Sequence, residues 1–286
     1  MLMPRKTLEE KLKQLLAEDV GQGDVTSAAV VPAGLTVEAV VVAKEAGIVA
    51  GIEETVILAE NLGLSVKAEV ADGQETKNGQ VILKISGNAQ TILSAERTML
   101  NLLSRMSGIA TATRRLTEKL RKANLTAKIA ATRKTAPGLG YFDKKAVLIG
   151  GGDPHRLRLD DMILVKDNHV AIAGSIEEAV KRAKQAVSFS KKIEAEVTSV
   201  TDALKAAEAG ADIVMLDNFS PKQVREAVKA LKTAGFFGKV LLEVSGGITE
   251  ENLLEYASAK VGIISMGALT HSVKSLDISL EITKVK

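Results

Sequence analysis

The sequence predicts an α/β chain in two parts, a mixed helix and antiparallel-sheet segment followed by a βα barrel. Three observations carry this. The first third mixes helical periods with short alternating runs. From residue 127 onward, apolar strand-like runs alternate with helical patterns, which is the signature of a parallel sheet. Polar, charged or glycine residues recur at the C-terminal ends of those runs, and in a βα barrel that end is the active face.

The elements follow in order. Residues 8–16 place apolar side chains at helical spacing, and the glycines Gly21 and Gly23 end the pattern. Residues 37–42 are β-branched and read as a strand, 47–51 as a small-residue turn, and 53–62 as a helix ended by Gly63. Residues 64–70 and 81–85 alternate around an Asp72-Gly73 turn. A long helix is predicted over 89–106, a junction at Ser107-Gly108, and a further helix over 109–122. Strand runs then fall at 127–131, 162–165, 193–197, 213–216, 240–244 and 262–265. Helical patterns at 142–149, 175–186, 200–209, 221–234 and 250–258 separate most of them. The tail 272–282 alternates weakly and reads as a return to the first part, so the expected domains are 1–108 with 272–286, and 109–271.

Composition narrows the function. The chain has 286 residues, 46% of them hydrophobic, enough for one large or two ordinary cores. Net charge is only +3, and the basic residues lack interleaved aromatics, so neither bulk basicity nor a stacking platform points to nucleic acid. Cysteine is absent, which excludes disulfides, thiolate metal sites and a cysteine nucleophile. The opening MLMPRKTLEEKLKQLL is charged and amphipathic rather than signal-like, and no apolar run reaches spanning length, so a soluble, cytoplasmic protein is expected.

The densest chemistry lies between residues 130 and 170. Arg133, Lys134, His155, Arg156 and Lys166 each follow or end a short apolar run. Like charges repel at close range, so gathering five such groups at strand tips points to a strongly anionic ligand. Arginine suits bidentate grips on carboxylate or phosphate, and lysine supplies a mobile point charge. Glu196 and Asp217 end neighbouring strands. They are counter-ions, partners of a sugar hydroxyl, or holders of Mg²⁺, which takes one or two carboxylates together with substrate oxygens. Alternation points Glu194 the same way as Glu196 and leaves the choice between them open. Ser245-Gly246-Gly247 and Met266-Gly267-Ala268 close the last two strands, where barrels often cradle phosphate on backbone N–H groups. Gly150-Gly151-Gly152 lacks the dinucleotide spacing and follows a helical pattern, so a Rossmann reading fails. His169 and His271 lack metal-ligand spacing to a second histidine and read as structural. Arg97, on the long helix, reads by itself as an exposed helix arginine.

These residues carry a match. The chain resembles the quinolinate phosphoribosyltransferases almost end to end, through EDVGQGDVTS, ERTMLNLLSRMSGIAT, TRKTAPGLG, GGGDPHR, KDNH, EAEV, MLDNFSP, SGGI and GALTHS, in that order. The resemblance implies an N-terminal α/β sandwich domain and an incomplete, open α/β barrel. It implies transfer of phosphoribosyl from phosphoribosyl pyrophosphate to quinolinate with decarboxylation, supported by Mg²⁺. It further implies a homodimer with shared active sites, or a hexamer, in which Arg97 is lent across the interface. Thr132, Arg133, Lys134, Arg156 and Lys166 would line the substrate site with His155 beside them. Glu196 and Asp217 would face ribose and metal, Lys134, Glu196 and Asp217 would carry the catalysis, and Ser245-Gly246-Gly247 and Met266-Gly267-Ala268 would take the 5-phosphate. Two positions depart from the family pattern. Pro154 stands before the His-Arg pair, where Asn or a similar residue is familiar, and Arg158 stands where a small residue is common.

Two other readings stand beside this one. A phosphoribosyltransferase for another acceptor would keep the phosphate loops without needing Arg97, Arg133, Arg156 and Lys166 together. A non-enzymatic carrier of an anionic metabolite is disfavoured by Glu196 and Asp217, since carboxylates weaken anion binding unless a cation intervenes.

Overall fold

The computed structural model describes residues 3–286. In chain order its elements are α1 (Arg5–Val20), α2 (Val25–Val30), β1 (Thr36–Ala43), β2 (Gly47–Ile48), α3 (Ile52–Asn61), β3 (Ser65–Ala68), β4 (Glu75–Thr76), β5 (Val81–Asn88) and α4 (Ala89–Lys122). Then come β6 (Lys128–Ala130), α5 (Gly140–Ile149), β7 (Ile163–Val165), α6 (Asp167–Ala173), α7 (Ile176–Ala186), β8 (Ile193–Val197) and α8 (Val200–Ala209). The rest are β9 (Ile213–Asp217), α9 (Pro221–Thr233), β10 (Leu241–Ser245), α10 (Leu253–Ala257), β11 (Ile263–Ser265), α11 (Ala268–His271) and β12 (Ile278–Val285). They divide into two compact units.

The first unit holds the chain up to Arg114, Tyr141–Gly151 and Val273–Lys286. Its main sheet is antiparallel in the order β12-β1-β5-β3. Alternation sets its faces: Val37, Ala39 and Val41 of β1 are buried, with more accessible residues between them. Leu8 and Leu12, one helical turn apart, bury the inner face of α1. The tail reaches this sheet because β12 pairs with β1 from Val37↔Val285 to Ala43↔Ile278.

Two features of this unit differ from the sequence expectation. The predicted break at Gly108 is absent, and α4 runs unbroken from Ala89 to Lys122. Glycine inside a helix costs about 1 kcal/mol relative to alanine, too little to end a helix held by packing. Its bareness has another use here. An added Cβ at Gly108 would lie 2.1 Å from the carbonyl oxygen of Lys274, so only glycine lets the returning tail cross the helix. The two compact units divide after Arg114, within α4.

The second difference concerns α5, which reads in sequence as one of the barrel's helices. From Tyr141 onward it packs with the first unit. Lys145 is bracketed by Glu53 at 2.5 Å and Glu54 at 2.6 Å, and Arg105 grips Asp143 with two bonds of 2.7 and 2.9 Å. Glu54 and Asp143 are fully buried. A buried carboxylate is tolerated when a cation and hydrogen bonds satisfy it, and these pairs tie α5 to α3 and α4.

The second unit holds Arg115–Gly140 and Gly152–Ser272. Its sheet has six strands, all parallel, in the order β6-β11-β10-β9-β8-β7, with helices between successive strands. Serine caps start the helices cleanly: Ser175 for α7, Ser199 for α8 and Ser220 for α9 each accept a backbone N–H of the first turn. The edge strands β6 and β7 do not pair with each other among the described residues, so the barrel is open. The short helices α2 and α6 carry no sequence signal long enough to read as helices.

Candidate active site

The register of the parallel sheet builds the site. Glu196 on β8 pairs with Met215 on β9, which pairs with Glu243 on β10, so these three share one face at one level. Two residues further on, Asp217 and Ser245 pair, and Ser245 pairs with Ser265. Two residues earlier, Glu194 pairs with Ile213. Because side chains alternate faces, these positions and Leu164 all point to the same side of the sheet. Above them the chain leaves each strand into a loop, and a cavity of about 490 Å³ opens there. Its walls include Thr132, Arg133, Lys134, His155, Arg156, Lys166, Glu196, Asp217, Ser245 and Gly246.

Ten of the residues singled out from the sequence are therefore brought to one cavity. Gly247, Met266, Gly267 and Ala268 follow or border those positions without lining the wall, and Arg97 lies exposed on α4 in the first unit, not on this cavity. Gly267 still shapes the site. An added Cβ there would meet Lys134 Cδ at 3.1 Å and the His271 ring at 3.0 Å. Gly246, at φ +90°, would place a Cβ 2.2 Å from Asn218 Oδ1, so a side chain there has neither the backbone conformation nor the space.

Each functional side chain is held by a local device. Beyond β6, the Lys134 N–H donates to Thr132 Oγ1 at 3.1 Å, and Thr270 Oγ1 donates to the Lys134 carbonyl at 2.8 Å. His155 sits at φ +53°, a left-handed conformation uncommon for a residue other than glycine, and its N–H donates to Asp153 Oδ1 at 2.8 Å. Pro154, the departure from the family pattern, lies inside this Asp153–His155 turn. The next loop is tied by Asp161 Oδ2, which accepts the N–H groups of Leu157 at 2.5 Å and Arg158 at 2.9 Å. Arg158 is exposed and turns to Asp160 at 3.4 Å, adding no cation to the cavity wall. His169, which the sequence marks as structural, accepts the Lys166 N–H on Nδ1 at 2.9 Å and so fixes the start of α6.

Of the two carboxylates, Glu196 meets a cation and Asp217 an amide. Lys166 Nζ donates to Glu196 Oε2 at 2.5 Å. Asp217 Oδ2 accepts from Asn218 Nδ2 at 2.7 Å, while the Asn218 N–H, at φ +56°, donates to the Ser245 carbonyl at 2.8 Å. Arg156 is 9% exposed, and burial together with the nearby Arg133 charge holds its guanidinium below the usual arginine range.

The sequence reading misses two partners, Asn218 and Glu243. Asn218 orients Asp217 through the 2.7 Å hydrogen bond above. Glu243 faces the cavity, and stepping back two residues along the strand from Ser245 would have found it. Glu194 and Glu196 do share a face, but depth separates them: Glu196 lines the cavity, while Glu194 is fully buried. His155 Nε2 lies 3.0 Å from Glu243 Oε2, a hydrogen bond, and 3.3 Å from Glu194 Oε2, an ionic contact. Burial would lower the His155 pKa, but the contacts with Glu194 and Glu243 outweigh it and raise the value to about 10. Burial also raises the Glu194 pKa, with His155 opposing that shift.

An open parallel barrel with a cation-rich cavity at the C-terminal ends of its strands, with carboxylates on adjacent strands beside glycine-bearing loops, defines an enzyme class that handles polyanionic substrates. Comparison with known proteins narrows this. The model of the quinolinate phosphoribosyl transferase C-terminal domain matches residues 109–281, and that of the N-terminal domain matches residues 24–107. A probable nicotinate-nucleotide pyrophosphorylase (carboxylating) of Methanothermobacter thermautotrophicus is 48% identical over 275 residues, covering 96% of this chain and 99% of its own. The human nicotinate-nucleotide pyrophosphorylase (carboxylating) is 38% identical over 282 residues, covering 99% of this chain and 94% of its own. The solved nicotinate-nucleotide pyrophosphorylase of Francisella tularensis superposes with a TM-score of 0.88 at 35% identity, covering 98% of both chains. The chain belongs to the quinolinate phosphoribosyl transferase family.

Proposed function

We propose that this cavity transfers phosphoribosyl from 5-phosphoribosyl 1-pyrophosphate to quinolinate, releasing pyrophosphate and CO₂ and leaving nicotinate mononucleotide, a step of NAD biosynthesis. One observation carries the reading. Five cationic side chains line a single cavity together with Glu196 and Asp217, in a chain whose family acts on a diacid and a polyphosphorylated sugar. Arg133, Arg156, Lys166 and His155 are the grips for the two acceptor carboxylates, and Lys134 is the contact to the phosphoribosyl donor. The Gly246-Gly247 and Met266-Gly267-Ala268 loops supply backbone N–H groups for the 5-phosphate.

The chemistry asks little acid–base work of the protein. The pyridine nitrogen carries no proton, so it attacks the anomeric carbon as the bond to pyrophosphate breaks. Positive charge gathers on the ribose, and the Glu196 and Asp217 carboxylates, on adjacent strands, stabilise it electrostatically. The ring nitrogen is then cationic. The carboxylate next to it leaves as CO₂, its bonding electrons passing to the ring, and solvent supplies the proton that replaces it.

The donor set suits Mg²⁺. Glu196 and Asp217 offer hard carboxylate oxygens in a cavity that admits a phosphorylated substrate, and Mg²⁺ takes few protein ligands and completes its shell with phosphate and water. When bound there, Mg²⁺ neutralises charge on the departing pyrophosphate. A homodimer, alone or within a hexamer, is the assembly this reading carries, because Arg97 matches a substrate-binding arginine yet does not line its own chain's cavity. A cytoplasmic location accords with the cysteine-free chain, and among the described residues no helix is long and apolar enough to cross a membrane.

The test is direct. Purified protein is given quinolinate, phosphoribosyl pyrophosphate and Mg²⁺, and pyrophosphate and nicotinate mononucleotide are followed together. Stoichiometric release of both is expected. Absence of turnover with quinolinate, alongside turnover of another acceptor, would overturn the reading.

A further inference from the structure

We infer that Glu194 and Glu243 are positioning residues for this transfer, holding the His155 ring as a permanent cation in the cavity floor. The inference rests on the function proposed above only for what the cation does, not for its existence. Neither glutamate fits the anion-binding logic of the cavity, since negative charge beneath a carboxylate site weakens it. Both are nonetheless fully buried. Glu194 Oε1, Glu194 Oε2 and Glu243 Oε1 have no hydrogen-bond partner, an arrangement that burial makes costly unless a positive charge compensates.

The group in reach of both is His155. Its side chain is 9% exposed, and Nε2 lies 3.0 Å from one carboxylate and 3.3 Å from the other. The charged groups around the ring come from four elements: Glu194 from β8, Glu243 from β10, Asp153 and Arg156 from its own loop, and Arg133 from the segment after β6. Of these, only the two glutamates contact Nε2. The left-handed turn at His155, pinned by Asp153, sets the ring over them.

The consequence is functional. An ordinary histidine, with a pKa near 6.5, is mostly neutral at pH 7–8 and would have to take up a proton as a dianionic acceptor bound. The paired glutamates supply that proton's stabilisation beforehand. The cavity then meets quinolinate with a cation already in place, preorganised as an electrostatic site requires.

The experiment is ¹⁵N NMR of the full chain labelled at its three histidines, with His155→Gln assigning the resonance. The protein is first treated with EDTA and desalted, and its divalent metal content is measured. At pH 8, without substrate, His155 is expected to show both ring nitrogens protonated. In Glu243→Gln and Glu194→Gln the ring should turn neutral above about pH 7. The KM for quinolinate should rise about tenfold in Glu243→Gln, with kcat changed less, as removal of a binding charge predicts. A neutral His155 at pH 8 in the unsubstituted protein overturns the inference, and so does titration unchanged in both glutamine variants. So does one equivalent of tightly held metal that Glu243→Gln abolishes, which would make the three side chains a metal site. If a glutamine variant does not fold, the titration of the unsubstituted protein decides alone. The NMR readout needs no turnover, so failure of the acceptor assignment and failure of this inference remain distinct.

Discussion

Lys166 Nζ stands 2.5 Å from Glu196 Oε2, with the two side chains 43% and 13% exposed. Lys166 is thus held by a carboxylate of the next strand, and on the function proposed above an anionic substrate would have to displace that contact. On the same proposal, a dianion repays the loss of this contact better than a monoanion, because its second carboxylate can meet Arg156, which is buried nearby and makes a long 3.5 Å contact to the Met162 carbonyl. On that proposal the acceptor carboxylates decide how well the cavity's cations are satisfied.

Nicotinate, with one carboxylate, is expected to be a very poor acceptor. A site built to pair a charged group rejects the analogue lacking it by on the order of 10⁴. Competition between quinolinate and nicotinate, scored by kcat/KM, checks this. Comparable efficiency would remove Arg156 and Lys166 from the carboxylate grip.

Lys134→Ala is expected to lower turnover by on the order of 10²–10³, the usual loss when a charge-assisted contact to the transition state is removed. Its backbone anchors to Thr132 and Thr270 do not depend on the side chain, so the fold should survive. Steady-state rates and a circular dichroism melt, measured together, separate the two effects. Near-normal turnover contradicts the role.

Activity should require a divalent cation, and Asp217→Asn should impair it. Asparagine keeps the shape and can still meet Asn218, so the variant isolates the charge. A rate that survives exhaustive chelation would remove the metal from the mechanism, and unchanged kinetics in Asp217→Asn would remove the carboxylate.

The His155 contribution to stability should depend on pH in a defined direction. Its folded pKa is raised to about 10 by Glu194 and Glu243 against the opposing effect of burial. The stabilisation is therefore fully present below about pH 6.5 and is lost as pH rises toward 10. The difference in denaturation midpoint between the unsubstituted protein and His155→Gln should shrink over that window. A difference that is flat or grows with pH argues against the pairing.

Arg97→Ala and Lys134→Ala should each be nearly inactive alone. If Arg97 serves the partner's cavity, unfolding the two variants together and refolding them makes about half the dimers mixed, each with one intact site. About a quarter of the unsubstituted activity should return by that count. Mixed dimers that form without activity would confine Arg97 to its own chain or to no role.

The strand and helix order of the barrel was legible because it depends on local periods of apolar residues, and the cavity's cations were legible because each sits at the end of such a run. Thr132 to Lys134, Arg156 and Lys166 needed only their neighbours to be placed. What was not legible depends on residues far apart in the chain. Gly108 looks like a helix end until the Lys274 carbonyl beside it shows why a side chain is forbidden there. The α5 segment has the pattern of a barrel helix, and its pairing with Glu53, Glu54 and Arg105 decides otherwise. Glu194 and Glu196 are equivalent by alternation, and the depth of the cavity separates them. His155 reads as one more basic group among five. Its charge is set by two glutamates 39 and 88 positions away, because the pKa of a buried group answers to what folding brings against it and not to its place in the sequence.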